Sequence, residues 1–165
     1  MAKKDSTLTQ EDLNSLYEYK DGYLYLKKTK GNKTAGEKIG HNHHSGYVYT
    51  TIDEKFYSVH RIIFAMHHGY FPKFIDHIDG NRSNNKIENL REATIFENNR
   101  NAKIRKNNTS GIKGVHFVEK HKKWVVQLQI NKQKKYFGWY DNLELAELVA
   151  QEARSKYHGK FARDF

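Results

Sequence analysis

The stretch Ile75 to Asn98, IDHIDGNRSNNKIENLREATIFEN, constrains the fold more than any other part of the chain. Apolar Phe74-Ile75 running into Asp76-His77 reads as a short strand that delivers a polar tip to a site. Asp79-Gly80-Asn81 is a turn sequence. Ile87 to Arg91 reads as one tight helical turn. Thr94 and Glu97, three apart, form a capping box with Thr94 as N-cap, so a helix should follow. Its first turns would carry Asn98 back towards the strand end. Strand, loop and helix would thereby gather Asp76, His77, Asn89 and Asn98.

That set resembles the ββα-metal (His-Me finger) core of HNH nucleases, in the variant whose third residue is Asn. His77 and Asn89 are twelve residues apart, and Asp76 and Asn98 twenty-two. The flanking Asp-Gly-Asn, Asn-Asn and Glu-Asn-Leu-Arg strings agree with the same family. The resemblance implies an α+β nuclease domain over 1–106, with its core at about 74–104 behind N-terminal β-hairpins. It also implies a phage-type homing or free-standing endonuclease acting on double-stranded DNA.

Hydrolysing a phosphodiester requires an activated nucleophile and neutralisation of charge on the phosphoryl and leaving oxygens. A single hard divalent ion, Mg²⁺ or alternatively Mn²⁺, serves the second need. Asp76 is its expected ligand, with Asn98 adding a neutral oxygen and water filling the other positions. His77 points the other way from the strand and is the expected general base. By resemblance, Asn89 fixes the loop or orients His77. Arg61 and Arg91 are candidates for phosphate contact or for holding the fold. As a plain alternative, Asn84, Asn85 and Asn89 could cap helix ends. A non-catalytic DNA-binding regulator retaining the fold is the competing function.

Charge points to the same partner class. Among 165 residues, 29 Lys and Arg outnumber 19 Asp and Glu, a formal +10 that solubility alone does not call for. No apolar run approaches the roughly 18–20 residues of a membrane span. With no Cys, disulfides and thiolate zinc sites are excluded. The opening MAKKDSTLTQ lacks the apolar segment of a secretory signal, so a cytoplasmic protein is expected, in the host cell if phage-encoded. A monomer or weak dimer is expected.

Before the central stretch, Thr9 to Leu16 reads as a short helix. Tyr17 to Tyr19 and Tyr23 to Leu26 flank Lys20-Asp21-Gly22 as a hairpin. Lys27 to Gly46 reads as a loop, and Tyr47 to Val59 as a second hairpin turning at Asp53-Glu54-Lys55. His60 to His68 is a helix closed by Gly69. His41-Asn42-His43-His44 spells a family name literally, but adjacent residues cannot enclose a site. The His67-His68 pair suits a helix C-terminus. His60, before Arg61, reads as supporting structure or DNA backbone contact.

Asn98 to Lys106 should continue as a polar, basic helix. Asn107 to Ser110 is the expected linker. Beyond it, three strands (Gly114–Val118, Lys123–Ile130, Lys134–Tyr140) and a helix (Asn142–Tyr157, apolar at Leu145, Leu148, Val149 and Ala153) form a three-stranded antiparallel sheet on one helix. Residues 111–165 resemble an AP2-type DNA-binding domain through Lys113-Gly114-Val115-His116, Lys123 to Leu128, Phe137-Gly138-Trp139-Tyr140 and the terminal Phe165. The resemblance implies a sheet that lies against the major groove. Period-2 geometry places Gln127 and Gln129 opposite the helix-facing side, joined by Lys134 and Tyr136. Arg100, Lys113 and His116 complete the expected DNA-contacting set. From Arg100 to Lys135 there are eleven Lys or Arg and one acid, Glu119, a balance suited to phosphate contact.

Overall fold

Short elements dominate, because the chain is rich in turn residues and its apolar positions come in runs of a few residues. The computed structural model describes residues 8–104 and 107–162. Over these residues the fold is mixed α/β, with four α-helices and several small antiparallel sheets. The chain divides into two compact units, one ending at Ile95 and the other starting at Phe96.

In the first unit, α1 (Gln10–Leu16) starts at Thr9, whose hydroxyl accepts the Asp12 N–H while the Asp12 carboxylate accepts the Thr9 N–H. The hairpin of β1 (Tyr17–Lys20) and β2 (Tyr23–Leu26) turns at Asp21-Gly22, both at positive φ (49° and 84°), as a tight two-residue turn requires. Leu24 and Leu26 are buried and Tyr23 is exposed, the alternation of a half-buried strand.

The segment read as loop contains two short strands. β3 (Lys38–Ile39) pairs with β2, and β4 (His41–Asn42) pairs with β5 (Val48–Ile52). Two-residue strands carry no periodic signal, and only an edge to pair with creates them. β6 (Lys55–Ser58) returns from β5 and leads into α2 (Val59–His68), which Gly69 closes in the left-handed conformation.

Val59, Ile62 and Ile63 of α2 pack with Leu13, Leu24 and Ile39 into the core of this unit. Each such side chain contributes roughly 1.5–3 kcal/mol by leaving water. Two further strands follow, β7 (Ile75–His77) and β8 (Leu90–Glu92), antiparallel with Asp76 opposite Arg91 and His77 opposite Leu90. The expected helical turn is a 3₁₀ turn limited to Ile87–Asn89. Leu90 to Glu92 is a strand because Phe74 to His77 offers it a partner, a pairing invisible to local pattern.

α3 (Ile95–Asn101) begins one residue after Thr94, where the capping sequence places it, and stops before the expected Lys106. Arg105, Lys106 and Phe165 lie outside the described residues. In the second unit, Asn108 to Val115 is a bonded turn rather than open chain. Asn108 Oδ1 accepts the Gly111 N–H at 2.7 Å, and the Ser110 hydroxyl donates to the Val115 carbonyl at 2.7 Å.

β9 (Val115–Val118), β10 (Lys123–Ile130) and β11 (Gln133–Tyr140) form a sheet with β10 in the centre. α4 (Leu143–His158), capped by Asn142, packs on one face. Val149 and Ala153 lie inward as expected, but Leu145 and Leu148 do not. Ala146 and Ala150 enter the core with Val115 and Val126, while Leu145 and Leu148 are 49% and 63% exposed. Small residues let the helix sit close to a sheet whose Trp124, Phe137 and Tyr140 already fill the space.

Candidate active site

The tip of β7 holds two ionisable side chains on opposite faces. Asp76 faces Arg91 across the β7–β8 pair, and its Oδ2 accepts from Arg91 Nε at 2.8 Å and Nη2 at 2.6 Å. Both residues are largely buried, so the carboxylate is held by a charge partner close to it.

His77 is 4% exposed. Its Nε2 lies 3.0 Å from Oδ1 of Asn85, itself buried. Burial pushes the His77 imidazole below its ordinary value, against the opposing effects of Asn85, Asp79 and Asp76. The ring is packed edge-on against His60, centroids 5.0 Å apart, and lies 5.9 Å from Tyr47. His60 Nδ1 is buried with no hydrogen-bond partner among the described residues. Burial, then the His77 and Arg61 charges, push His60 down to about 3.

A closed polar network shapes the loop between β7 and the 3₁₀ turn. Asn89 accepts the Asp79 N–H on Oδ1 and donates from Nδ2 to Asp79 Oδ1 and the Asn84 carbonyl. Asn84 donates to Asp79 Oδ2 at 2.7 Å, and the Asn81 N–H to Asp79 Oδ1 at 2.8 Å. Against the cost of partial burial, the bonds from Asn84, Asn81 and Asn89 hold the Asp79 carboxyl below its usual range. Asn89 thus bonds the loop, whereas Asn85 bonds the His77 ring.

The β1–β2 hairpin braces this loop from outside. Tyr19 Oη accepts the Ile87 N–H at 3.0 Å, and Gly22 lies so close that a Cβ there would stand 2.8 Å from the Lys86 nitrogen. On another side, Arg82 donates to the Ser45 carbonyl at 3.0 Å and stacks over Tyr47. The histidine-rich loop is therefore tied to the site through Arg82 and Tyr47, while His41, His43 and His44 remain exposed.

Arg61 donates to the Pro72 carbonyl at 2.9 Å, holding the chain just before β7. Asn98 and Arg100 lie on α3 in the second unit, where the Arg100 carbonyl accepts from Lys113 Nζ at 2.9 Å. An extra residue in β11 shifts the register between Val126 and Gln127. Phe137 stays in the core, and the pairs Gln127–Tyr136 and Gln129–Lys134 share the face away from α4. Gln129, Lys134 and Tyr136 are exposed there, as is His116 on β9. Trp139, 47% exposed and edge-on to His121, belongs to the same face.

Asn85, Arg82 and Tyr47 are the site residues that sequence reasoning passed over. Asn85 offered a weak signal: in an Asn-Asn pair it reads equally well as a cap. Among the described residues no three His, Cys, Asp or Glu side chains gather as a metal site. One carboxylate with a neutral oxygen donor suits a cation that keeps most of its water, as Mg²⁺ does, and not a fully protein-enclosed one. None of the helices among the described residues is long and apolar enough to cross a membrane.

Comparison with known proteins locates this arrangement. Protein 3.8 of Escherichia phage T7 is 38% identical over 97 residues, covering 58% of this chain and 79% of the phage protein. No solved structure matches. A family model described as HNH endonuclease matches residues 57–100, the segment that holds His60, Asp76, His77, Asn85, Asn89 and Asn98.

Proposed function

The chain belongs to the family of Protein 3.8 of phage T7 and carries an HNH endonuclease domain over residues 57–100, and from that premise we propose that it is a metal-dependent endonuclease that hydrolyses DNA phosphodiesters at a chosen site. The observation that carries this reading is the buried Asp76-His77 pair, presented on opposite faces of one strand end beside a braced polar loop. His77 is the general base: its imidazole, kept neutral by burial, accepts a proton from the attacking water. Asp76 would be the carboxylate ligand of a Mg²⁺ or Mn²⁺ ion, which when bound neutralises charge on the phosphate and leaving oxygens. Asn89 holds the loop shape through Asp79. These elements are our ββα-metal core.

The second unit is the DNA reader, an AP2-like sheet of the homing or free-standing phage type. Lys113, Lys134 and Arg100 supply phosphate contact, and Gln127, Gln129, His116 and Tyr136 face the bases or sugar edges. One site per chain favours nicking of a single strand, unless two copies associate.

The Arg91 bridge favours one competing reading. A guanidinium on Asp76 Oδ2 occupies an oxygen a cation would use, as suits a regulator that binds DNA without cutting it. Incubation with Mg²⁺ and supercoiled DNA carrying candidate host and phage sites, followed by end mapping, separates the two. Nicked product with 5′-phosphate and 3′-hydroxyl ends is expected. Binding without cleavage in both Mg²⁺ and Mn²⁺ would establish the regulator instead.

A further inference from the structure

We propose that Asn85 is a positioning residue that sets the tautomer and direction of the His77 ring, an inference that rests on His77 being the base. A carbonyl oxygen has no hydrogen to give, so Oδ1 of Asn85 at 3.0 Å makes Nε2 the protonated nitrogen of the neutral ring. The basic lone pair then belongs to Nδ1. In the other tautomer Nε2 would meet Oδ1 with two lone pairs facing, inside a buried pocket where that is costly.

Asn85 can impose this choice because it is itself immobilised. It is 2% exposed, so no solvent competes for its amide. The preceding residue is held through both its side chain and its carbonyl, by Asp79 Oδ2 and Asn89 Nδ2. The Ile87 N–H, two residues on, is held by Tyr19. Between them, Gly22 packs so tightly that a Cβ would stand 3.0 Å from the Asn85 carbonyl carbon. The β1–β2 hairpin and the Asp79 network therefore share one purpose, which is to hold one amide oxygen against one ring nitrogen. His60, edge-on to His77 at 5.0 Å, limits ring tilt on the remaining side. A catalytic base whose neighbours are left loose loses its geometry, which is why such support matters.

The test uses ¹⁵N-labelled histidine in the full chain, with the His77 signals assigned by their loss in His77→Gln. Wild type should show the neutral ring protonated at Nε2. Asn85→Ala should convert His77 to a mixture rich in the Nδ1–H form and lower single-turnover nicking about 10- to 100-fold with DNA affinity retained. Asn85→Asp keeps an oxygen acceptor in the same place, so it should keep the Nε2–H form and recover much of the nicking. It also carries the test if Asn85→Ala does not fold. An Nδ1–H ring in wild type or in Asn85→Asp, or an unchanged tautomer in folded Asn85→Ala, overturns the proposal. Failure of the nuclease reading shows separately, as absence of nicking by the wild type.

Discussion

The loop between β7 and β8 and the outer face of the β9–β11 sheet are both polar, but they are polar in opposite ways. In the loop, Asp79, Asn84 and Asn89 satisfy one another, Asn85 bonds His77, and Asn85, Asn89 and His77 are buried. On the sheet, Gln129, Lys134 and Tyr136 stand in solvent on a scaffold whose order comes from Val115, Val126, Ala146 and Ala150 behind it. A closed network fixes one geometry and fails as a whole when a member is lost. An exposed row on a packed sheet is adjustable, and its members act nearly independently. The first arrangement suits bond breaking, and the second suits reading a long polyanion.

The largest effect should come from His77→Ala. Cleavage should fall by about 10²–10⁴-fold, as for loss of a general base, with DNA affinity close to wild type. Single-turnover cleavage beside a gel-shift titration measures both. Undiminished cleavage would end the contrast, because the loop network would then serve only the fold.

His60 provides a pH-dependent break. Its imidazole is held down to about 3 in the fold, whereas the unfolded chain's protonates near 6.5. Between those values the unfolded state binds the extra proton, so stability rises with pH and is lost as pH falls through the window. At pH 5 the loss attributable to this one group is about 2 kcal/mol. Urea midpoints at pH 7 and pH 5 should therefore separate more in wild type than in His60→Phe. Equal separation would mean that His60 is not a buried neutral ring.

Gly22→Ala tests the brace without changing the Asp76-His77 pair. A side chain at φ 84° costs roughly 1–2 kcal/mol, and the added Cβ meets the backbone at Lys86. Lower thermal stability is expected together with slower nicking. Full nicking at reduced stability would uncouple the hairpin from the loop.

The smallest effects should lie on the sheet. Lys134→Ala should weaken binding to all duplexes alike and reduce the slope of log K against log salt by about 0.9. Gln127→Ala and Gln129→Ala should instead change the ratio of cognate to scrambled affinity. A salt series on both duplexes reads out each. If Lys134→Ala altered sequence preference as much as the glutamines did, the sheet members would not be acting independently.

Sequence by itself determined the elements whose cause is local. Thr9 and Asp12 started α1, Asp21-Gly22 turned the first hairpin, and Gly69 ended α2. Asp76-His77 was legible as a strand tip because two apolar residues precede it and a turn follows. Tertiary structure decided what depends on distant partners. β3, β4 and β8 exist through pairing with edges far along the chain. The inward face of α4 follows from the bulk of the sheet it meets, which selected Ala146 and Ala150 over Leu145 and Leu148. Within the site, sequence named the carboxylate and the imidazole but did not pair them with Arg91 and Asn85. A hydrogen bond is won by whichever donor or acceptor the fold brings within about 3 Å at the right angle, and among many asparagines in one loop no local pattern ranks them.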